Sequence, residues 1–171
     1  MTIAPQPAFR REFLLSAAER GAWLGFVQAY SSLVRKLDDE LRQAHDLPLH
    51  SFEVLAQLYL EPGHRLRMIE LADHLVLTRS GISRLVDRLE RDGFVRRLEA
   101  DRDRRGVLAE LTEAGFAAFD AAVATHVDGL RRLFFDKLAV GELERLNAIW
   151  DRVGPDSACA REQRLRSARD D

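Results

Sequence analysis

The chain has 171 residues and an apolar fraction of 46%, which suffices for a single globular domain with a buried core. No apolar run reaches the ~18 residues that a membrane-spanning helix needs, and the N-terminus lacks the apolar core of a signal peptide, so we expect a cytoplasmic protein with no membrane partner. The net charge of −2 does not by itself indicate a nucleic-acid partner.

Two helices are predicted in the first third of the chain. Apolar residues recur at spacings of three and four over residues 9–45 and predict a first helix on the order of 50 Å long. Residues 46–48 interrupt this pattern, and Ser51 is expected to cap a second helix that ends at the turn 61–63. The second helix is expected to bury Val54, Leu55 and Leu58.

A third and a fourth helix follow a short extended link that Leu66 and Met68 flank. The third helix is predicted over residues 69–75 and is expected to bury Ile69, Ala72 and Leu75, with Leu71 as a further candidate. After a turn at residues 76–77, Thr78 is a good N-cap for the fourth helix. The fourth helix is expected to bury Ile82, Leu85, Val86 and Leu89. Its outer face is then formed by Arg79, Ser80, Ser83, Arg84, Asp87 and Arg88.

The rest of the chain predicts a hairpin, two helices and a tail. Gly93 fits the end of the fourth helix. Two strands are predicted over residues 94–98 and 107–111, joined by a charged tip. Thr112 is expected to cap the next helix. The two helices and the polar, unstructured tail are predicted over residues 113–138, 141–153 and 154–171.

This order of elements is typical of a winged helix-turn-helix, so the predicted fold class is mainly α with a small β hairpin, or α+β. Residues 79–105 carry nine arginines against six acidic residues. A helix fits the major groove, where arginine bridges guanine O6 and N7 and hydroxyls meet bases or phosphates. Gly81 keeps the helix surface low, so that the backbone can approach DNA. The fourth helix is therefore predicted to contact DNA through Thr78, Arg79, Ser80, Gly81, Ser83, Arg84 and Arg88.

The charged hairpin tip is predicted to be a wing that enters the minor groove, whose negative potential attracts Arg102, Arg104 and Arg105. Asp101 or Asp103 would pair with one of these arginines and fix its direction, and Asp103 is included among the predicted DNA-binding residues. Taken alone, such a segment is more simply a solvated charged loop. Its position directly after the two helices favours DNA contact.

The span from Trp23 to Val153 resembles the MarR family of bacterial winged-helix regulators. The resemblance is strongest in ELADHLVLTRSGISRLVDRLERDGFVRR and in the following DRDRRGVLAELTEAG. Within the second segment, the Asp103-Arg104-Arg105 triplet, the Leu111-Thr112 pair and Gly115 are similar to the family's wing and to the start of its next helix.

Two positions depart from the family pattern. Ile69 stands where Ser or Thr is frequent, which leaves the third helix without a side-chain cap. Ala100 stands where Asp is frequent, so that the wing's internal pairing would use Glu99 or Asp101 instead. The second departure bears on the geometry of the wing, and neither alters the predicted fold.

The resemblance implies a homodimer with intertwined N- and C-terminal helices, and the composition of those helices gives an independent reason. Their large apolar groups are too many for helices that flank so small a core, and a twofold dimer would bury them. These groups are Phe13, Leu14, Trp23, Phe134, Phe135, Leu138, Leu146, Ile149 and Trp150. The single domain, residues 1–171, accordingly divides into dimerisation helices over 9–47 and 113–153 and a DNA-binding lobe over 48–112. Two such lobes predict an inverted-repeat operator on double-stranded DNA.

Members of the family often respond to small aromatic or phenolic acids bound between the dimer helices and the DNA-binding lobe. A mostly apolar pocket with a few polar groups would suit such an effector. Taken singly, each candidate residue has a plainer structural explanation: Trp23 and Tyr30 as core residues, His50 as a helix-start residue and Glu53 as a solvated one. The residues that could line the cleft are Trp23, Tyr30, His50, Glu53 and Arg88.

Other classes of function fit the sequence less well. The chain has no GxSxG, HExxH, phosphate-loop or dinucleotide motif, so we expect no enzyme and no cofactor. A metal-responsive regulator would need a cluster that the five dispersed histidines do not suggest, and Arg105 rules out a calcium loop at residues 101–112. A helical interaction protein would not explain the arginine-rich face. The lone Cys159 is expected to be a silent thiol. The resemblance favours repression over activation.

Overall fold

A computed structural model describes residues 15–75, 77–99 and 106–154. The longest helices are α1 (Ala17–His45) and α5 (Glu113–Leu133), and the shorter ones are α2 (Leu49–Leu60), α3 (Met68–His74), α4 (Arg79–Arg91) and α6 (Glu142–Val153). The strands are β1 (Arg65–Arg67), β2 (Val95–Glu99) and β3 (Val107–Leu111), and short 3₁₀ turns lie at Pro62–His64 and Phe135–Lys137. The predicted fold class is confirmed, with one additional strand.

The sheet has three antiparallel strands in the order β1-β3-β2, rather than the two of the predicted hairpin. Leu66 of β1 pairs with Ala109 of β3, and Val95 of β2 pairs with Leu111. The predicted extended link is thus a strand. It has only three residues, too few for an alternating pattern, and its pairing with β3 is a long-range contact that the local sequence does not reveal.

Helix α1 begins later than predicted. Ser16 has non-helical dihedral angles and caps the helix, because its hydroxyl accepts from the Glu19 N–H at 3.2 Å while the Glu19 carboxylate accepts from the Ser16 N–H at 2.7 Å. The prediction that the helix already includes residues 15 and 16 is therefore wrong. Residues 9–14 lie outside the described part of the chain. The end at His45 is confirmed, and Asp46 there has the left-handed conformation.

Helix α2 is capped by another helix and not by Ser51. It begins at Leu49 with Pro48 as the N-cap, three residues earlier than the prediction, so that Ser51 lies within the helix and is buried. Pro48 at the N-cap position has no side-chain acceptor. The Asp38 carboxylate of α1 takes this role, because it accepts from the Leu49 N–H at 2.8 Å.

The helix-turn-helix agrees with the prediction in α4 and only in part in α3. Thr78 caps α4, and the four predicted core residues of α4 are buried. In α3, Leu71 and Ala72 are buried and Leu75 is half-buried, but Ile69 is 46% exposed, so its predicted burial is wrong. Arg67 at the N-cap position of α3 offers no acceptor, and the Glu70 carboxylate instead accepts from the Arg67 N–H at 3.0 Å.

Helix α5 ends at Leu133 rather than at Leu138. Phe134 has φ −131° and ψ −66°, which breaks the helix before the 3₁₀ turn at Phe135–Lys137. The start of α5 is as predicted, with the Thr112 hydroxyl accepting from the Gly115 N–H at 3.0 Å.

The buried core lies around α2, which contacts α1, α3, α4, α5 and the sheet. The most deeply buried side chains include Leu41, Leu55, Leu58, Leu71, Val86 and Leu89. By contrast, α6 has no buried residue, and α1 buries only Leu37 and Leu41. The N-terminal half of α1 and all of α6 therefore lie outside this core.

Candidate DNA-binding surface and ligand groove

The outer face of α4 presents the hydroxyls and arginines that the sequence predicted there. Ser80, Ser83, Arg84 and Arg88 are exposed, opposite the buried face of the helix. The four arginines of this helix outnumber its two acidic residues, which gives the face a positive charge. These features allow it to bind a polyanion and to donate hydrogen bonds to base edges.

The N-terminus of α4 is fixed by its own side chains. The Thr78 hydroxyl accepts from the Gly81 N–H at 3.1 Å and lies 3.2 Å from the Ser80 hydroxyl. A Cβ on Gly81 would lie 3.1 Å from the Thr78 hydroxyl, so glycine relieves crowding at the cap as well as lowering the surface. The sequence suggested only the second of these reasons.

The side chains of two α4 arginines fold back against the helix and contact the turn before their own. Arg84 Nε donates to the Ser80 carbonyl oxygen at 3.2 Å, and Arg91 Nε donates to the Asp87 carbonyl oxygen at 3.3 Å. Such a contact fixes the direction of the guanidinium and lowers the conformational entropy lost when DNA binds.

Strand β2, which contacts α4, carries two adjacent arginines that point in opposite directions. Arg96 pairs with Glu110 of β3, whereas Arg97 contacts Asp87 at 2.6 Å and Glu90 at 2.8 Å, both on α4. Neither arginine was among the predicted DNA-binding residues. The alternation of side chains along residues 95–97 was the sequence feature that could have shown that Arg96 and Arg97 point to opposite sides of the strand.

The predicted wing residues Arg102, Asp103, Arg104 and Arg105 lie outside the described residues, so their predicted contacts with DNA stay predictions. The same is true of Phe13 and Leu14 in the predicted dimer contact and of Cys159.

A small cavity lies between the start of α4 and the sheet. Its volume is about 330 Å³, and its lining includes Met68, Ile69, Arg79, Ser83 and Val107. Ile69 faces this space instead of the core, which explains its exposure.

The predicted ligand cleft corresponds in part to a groove between α1 and α2, which we call the α1–α2 groove. It has a volume of about 410 Å³ and is lined by Tyr30, Ser31, Val34, Arg35, Asp38, Arg42, Leu49 and His50. Glu53 lies at its edge, with a carboxylate oxygen 2.8 Å from His50 Nδ1. Tyr30, His50 and Glu53 are thus brought together, whereas Trp23 and Arg88 are not among the residues that line this groove.

Asp38 holds the floor of the α1–α2 groove in place. Burial acts to raise the pKa of this carboxyl, but the hydrogen bonds from Arg42 and from the Leu49 N–H outweigh it and hold the pKa below its ordinary value. The Arg42 Nε atom lies 2.6 Å from the carboxylate. The charged Asp38 therefore links α1 to the start of α2, a link that the sequence analysis missed.

A larger and more apolar cavity lies between α1, α5 and α6, and we call it the arm cavity. It has a volume of about 610 Å³ and is lined by Gly25, Phe26, Ala29, Tyr30, Ser32, Leu33, Lys36, Leu133, Phe134, Leu146 and Trp150. Phe26 and Trp150 meet across it with their ring centroids 5.4 Å apart. The sequence predicted the excess of apolar residues in the N- and C-terminal helices but not the cavity between them.

Over residues 15–75, 77–99 and 106–154, no group of three or more His, Cys, Asp and Glu side chains is arranged to hold a metal ion. In the same ranges, no helix combines the length and the apolar character that crossing a membrane requires.

Comparison with known proteins identifies the family. A sequence model of the MarR family matches residues 45–106. The curated regulator PecS from Dickeya dadantii is 28% identical over 131 residues, which cover 76% of this chain and 78% of PecS. The MarR family regulator Sco3205 from Streptomyces coelicolor, solved in complex with DNA, is 35% identical with a TM-score of 0.78, covering 82% of this chain and 91% of that one.

A second solved regulator from Streptomyces coelicolor, AbsC, is 30% identical with a TM-score of 0.78 and covers 83% of this chain and 95% of its own. All of these matches are named as regulators of transcription, which confirms the prediction that the chain is not an enzyme. Since the identity reaches 35% over a match that covers 82% of this chain, the chain belongs to the MarR family of winged helix-turn-helix transcriptional regulators.

Proposed function

We propose that the protein is a sequence-specific transcriptional repressor that binds an inverted-repeat operator as a homodimer and is released by a small aromatic or phenolic acid. The observation that carries this proposal is the outer face of α4, where hydroxyls and arginines surround a capped helix N-terminus on the side away from the core. The complex of Sco3205 with DNA supports the same use of the fold in a relative.

Helix α4 is the element that we propose to lie in the major groove. Arg84 and Arg88 are the candidates for bidentate contact with guanine, because they lie on the exposed face away from the N-terminus. Thr78, Arg79, Ser80 and Ser83 lie in the first turns, where the helix dipole and the hydroxyls suit a phosphate. Gly81 leaves room for that approach. The wing residues Arg102, Asp103, Arg104 and Arg105 complete the proposed surface in the minor groove.

A homodimer is supported by the apolar residues that one chain leaves in contact with water. Trp23, Phe26 and Tyr30 are exposed on α1, and Ile149, Trp150 and Val153 are exposed on α6. Contiguous apolar patches of this kind are typical of an interface. We propose that the arms over residues 9–47 and 113–153 form this interface and that the lobe over 48–112 binds DNA.

The α1–α2 groove is the proposed effector site. The Tyr30 ring offers an apolar surface, and Arg42 and His50 offer positive or hydrogen-bonding groups for a carboxylate or a phenol oxygen. The groove joins an arm helix to the lobe, so an effector there would alter the angle between them and thus the spacing of the two α4 helices. Glu53 would act through His50, and the roles predicted for Trp23 and Arg88 stay predictions.

Selection of bound duplexes from random DNA tests the proposal. We expect an inverted repeat whose half-site centres are about one helical turn, or roughly 10 base pairs, apart. In the double variant Arg84→Ala, Arg104→Ala, the affinity should fall by about 1–3 kcal/mol per base-reading arginine. The control Arg131→Ala removes an exposed arginine of α5 and should bind like the wild type. Enrichment of no sequence over the random pool would refute the proposal.

Thermal unfolding tests the effector. A true aromatic-acid ligand should raise the melting temperature of the wild type in proportion to the logarithm of its concentration. His50→Ala should reduce this shift. A panel of aromatic and phenolic acids that leaves the melting temperature unchanged contradicts this part of the proposal.

A further inference from the structure

Arg97 of β2 contacts three successive turns of α4, the helix that we propose to lie in the major groove. Its Nη1 atom lies 2.6 Å from the Asp87 carboxylate and 2.8 Å from the Glu90 carboxylate, and its Nη2 atom donates to the Ser83 carbonyl oxygen at 3.2 Å. The Arg97 N–H also donates to the Glu90 carboxylate at 3.1 Å. The guanidinium of one β2 residue therefore links the sheet to three turns of α4.

The strand pattern explains why Arg97 reaches α4 and Arg96 does not. Val95 is buried beneath α4, and residues two apart on a strand point to the same side, so Arg97 continues that side beyond the edge of the core. Arg96 points to the other side, where it pairs with Glu110.

The two carboxylates would oppose DNA binding if they were uncompensated. At about 100° per residue, Asp87 lies within roughly 30° of the direction opposite the buried face of α4, so it shares the outward face with Arg84. Glu90 lies one turn further along, on the side of the sheet. Phosphates that approach this face would therefore meet the charge of Asp87 directly and the charge of Glu90 at the edge of the face, among the four arginines of the helix.

We propose that Arg97 is a positioning residue that neutralises Asp87 and Glu90 and directs their carboxylates towards the sheet, so that the face of α4 attracts DNA. Arg97 acts through these two residues and does not contact DNA itself, because its side chain is only 27% exposed and its guanidinium already has three acceptors on α4. This inference rests on the proposed function, in which α4 binds DNA.

A mutant cycle on the full-length protein tests the inference, with the duplex recovered by selection and a random-sequence duplex as the two probes. Arg97→Gln should lower the affinity for the selected duplex on the order of tenfold. The triple variant Arg97→Gln, Asp87→Asn, Glu90→Gln should recover most of this loss, since the uncompensated carboxylates are gone. The control Arg96→Gln should stay within about twofold of the wild type.

The double variant Asp87→Asn, Glu90→Gln keeps Arg97 and covers the case in which Arg97→Gln does not fold. It should bind the random-sequence duplex several-fold more tightly, because a positive charge is no longer neutralised. A triple variant that stays as weak as Arg97→Gln would overturn the inference, and so would a double variant with unchanged affinity. Failure of the wild type to prefer the selected duplex would instead refute the proposed function.

Discussion

At the scale of single residues, Gly115 shows how closely α5 packs against the lobe. A Cβ at this position would lie 2.0 Å from the Phe94 carbonyl oxygen and 2.9 Å from Leu111 Cδ1. The backbone is held there by the Thr112 hydroxyl, which donates to the Gly93 carbonyl oxygen at 2.7 Å, and by the Thr112 N–H, which donates to Phe94 at 3.1 Å. Glycine is therefore required for the start of α5 to meet the strand.

Gly115→Ala should lower the free energy of unfolding by about 3 kcal/mol, because the methyl group can be accommodated only by moving the backbone at Phe94. Chemical denaturation monitored by circular dichroism measures this loss. Gly21→Ala is the matched control, since a Cβ at Gly21 meets nothing within 4 Å and alanine favours a helix by up to ~1 kcal/mol. Equal stability of the wild type and Gly115→Ala would show that α5 does not start in close contact with the strand.

The sequence predicted the role of some residues and not of others for a physical reason. Thr78 and Thr112 were predicted as caps because their acceptors bond to N–H groups three residues away, which is a local interaction. The contact of Gly115 with Phe94 and the cap of α2 by Asp38 depend on segments that the chain brings together only when it folds. The predicted cap at Ser51 is wrong because the carboxylate of Asp38, on another helix, caps α2 in place of a local side chain.

At the scale of elements, the joint between α1 and α2 depends on the charge of Asp38. The carboxylate accepts from the Leu49 N–H and from Arg42 Nε, and these bonds lower its pKa in the folded state although burial acts to raise it. The stability that results is fully present above the unfolded-state pKa of about 3.9. It is lost as the pH falls through the lower pKa of the folded state.

Asp38→Asn should therefore lower the free energy of unfolding by up to about 1 kcal/mol at neutral pH, because the neutral amide still accepts a hydrogen bond but lacks the charge that strengthens the bonds from the Leu49 N–H and from Arg42. The difference from the wild type should begin to shrink below about pH 4, where the carboxyl of the unfolded chain is protonated, and should disappear only as the pH falls through the lower pKa of the folded state. Thermal unfolding of both proteins from pH 3 to pH 7 measures the difference. Asp39→Asn changes the exposed neighbour and serves as the control. A difference that is the same at every pH would show that the charge of Asp38 does not hold the joint.

The elements of the helix-turn-helix and of the sheet were predictable to different degrees. Helix α4 was predicted with its cap and both faces because thirteen residues suffice to show a strong apolar period. Helix α3 has only seven residues, and the side on which Ile69 lies depends on the cavity beside the sheet. Strand β1 was predicted only as an extended link, since three residues show no period and their partners lie 41 to 45 residues away in sequence.

At the scale of the whole molecule, the exposed apolar surface of the arms is the reason to expect a dimer rather than a single chain. Helix α1 has 29 residues and spans about 44 Å, yet its buried residues Leu37 and Leu41 lie in its C-terminal half. The arm cavity is lined by the aromatic rings of both α1 and α6 and opens to solvent. The sequence indicated this excess of apolar surface, but the relative placement of the arms depends on packing that a periodic pattern does not specify.

Dimerisation can be tested by placing a charge in the aromatic contact between the arms. Phe26 packs against Trp150, Trp23 and Tyr30, so Phe26→Glu should place a carboxylate in the proposed interface and raise the dimer dissociation constant at least on the order of a hundredfold. Sedimentation velocity should then show a dimer for the wild type and a monomer for Phe26→Glu at micromolar concentration. Leu60→Glu changes an exposed apolar residue of the lobe and should stay dimeric.

The same variant links assembly to DNA binding. A monomer carries one α4 helix and loses the gain in affinity that comes from binding two half-sites at once, so Phe26→Glu should bind the full inverted repeat no more tightly than a single half-site. The wild type and Leu60→Glu should bind the full repeat at least tenfold more tightly than the half-site, an order-of-magnitude expectation from the same effect. Equal affinity of wild type for the half-site and the full repeat would show that the two lobes do not act together on one duplex.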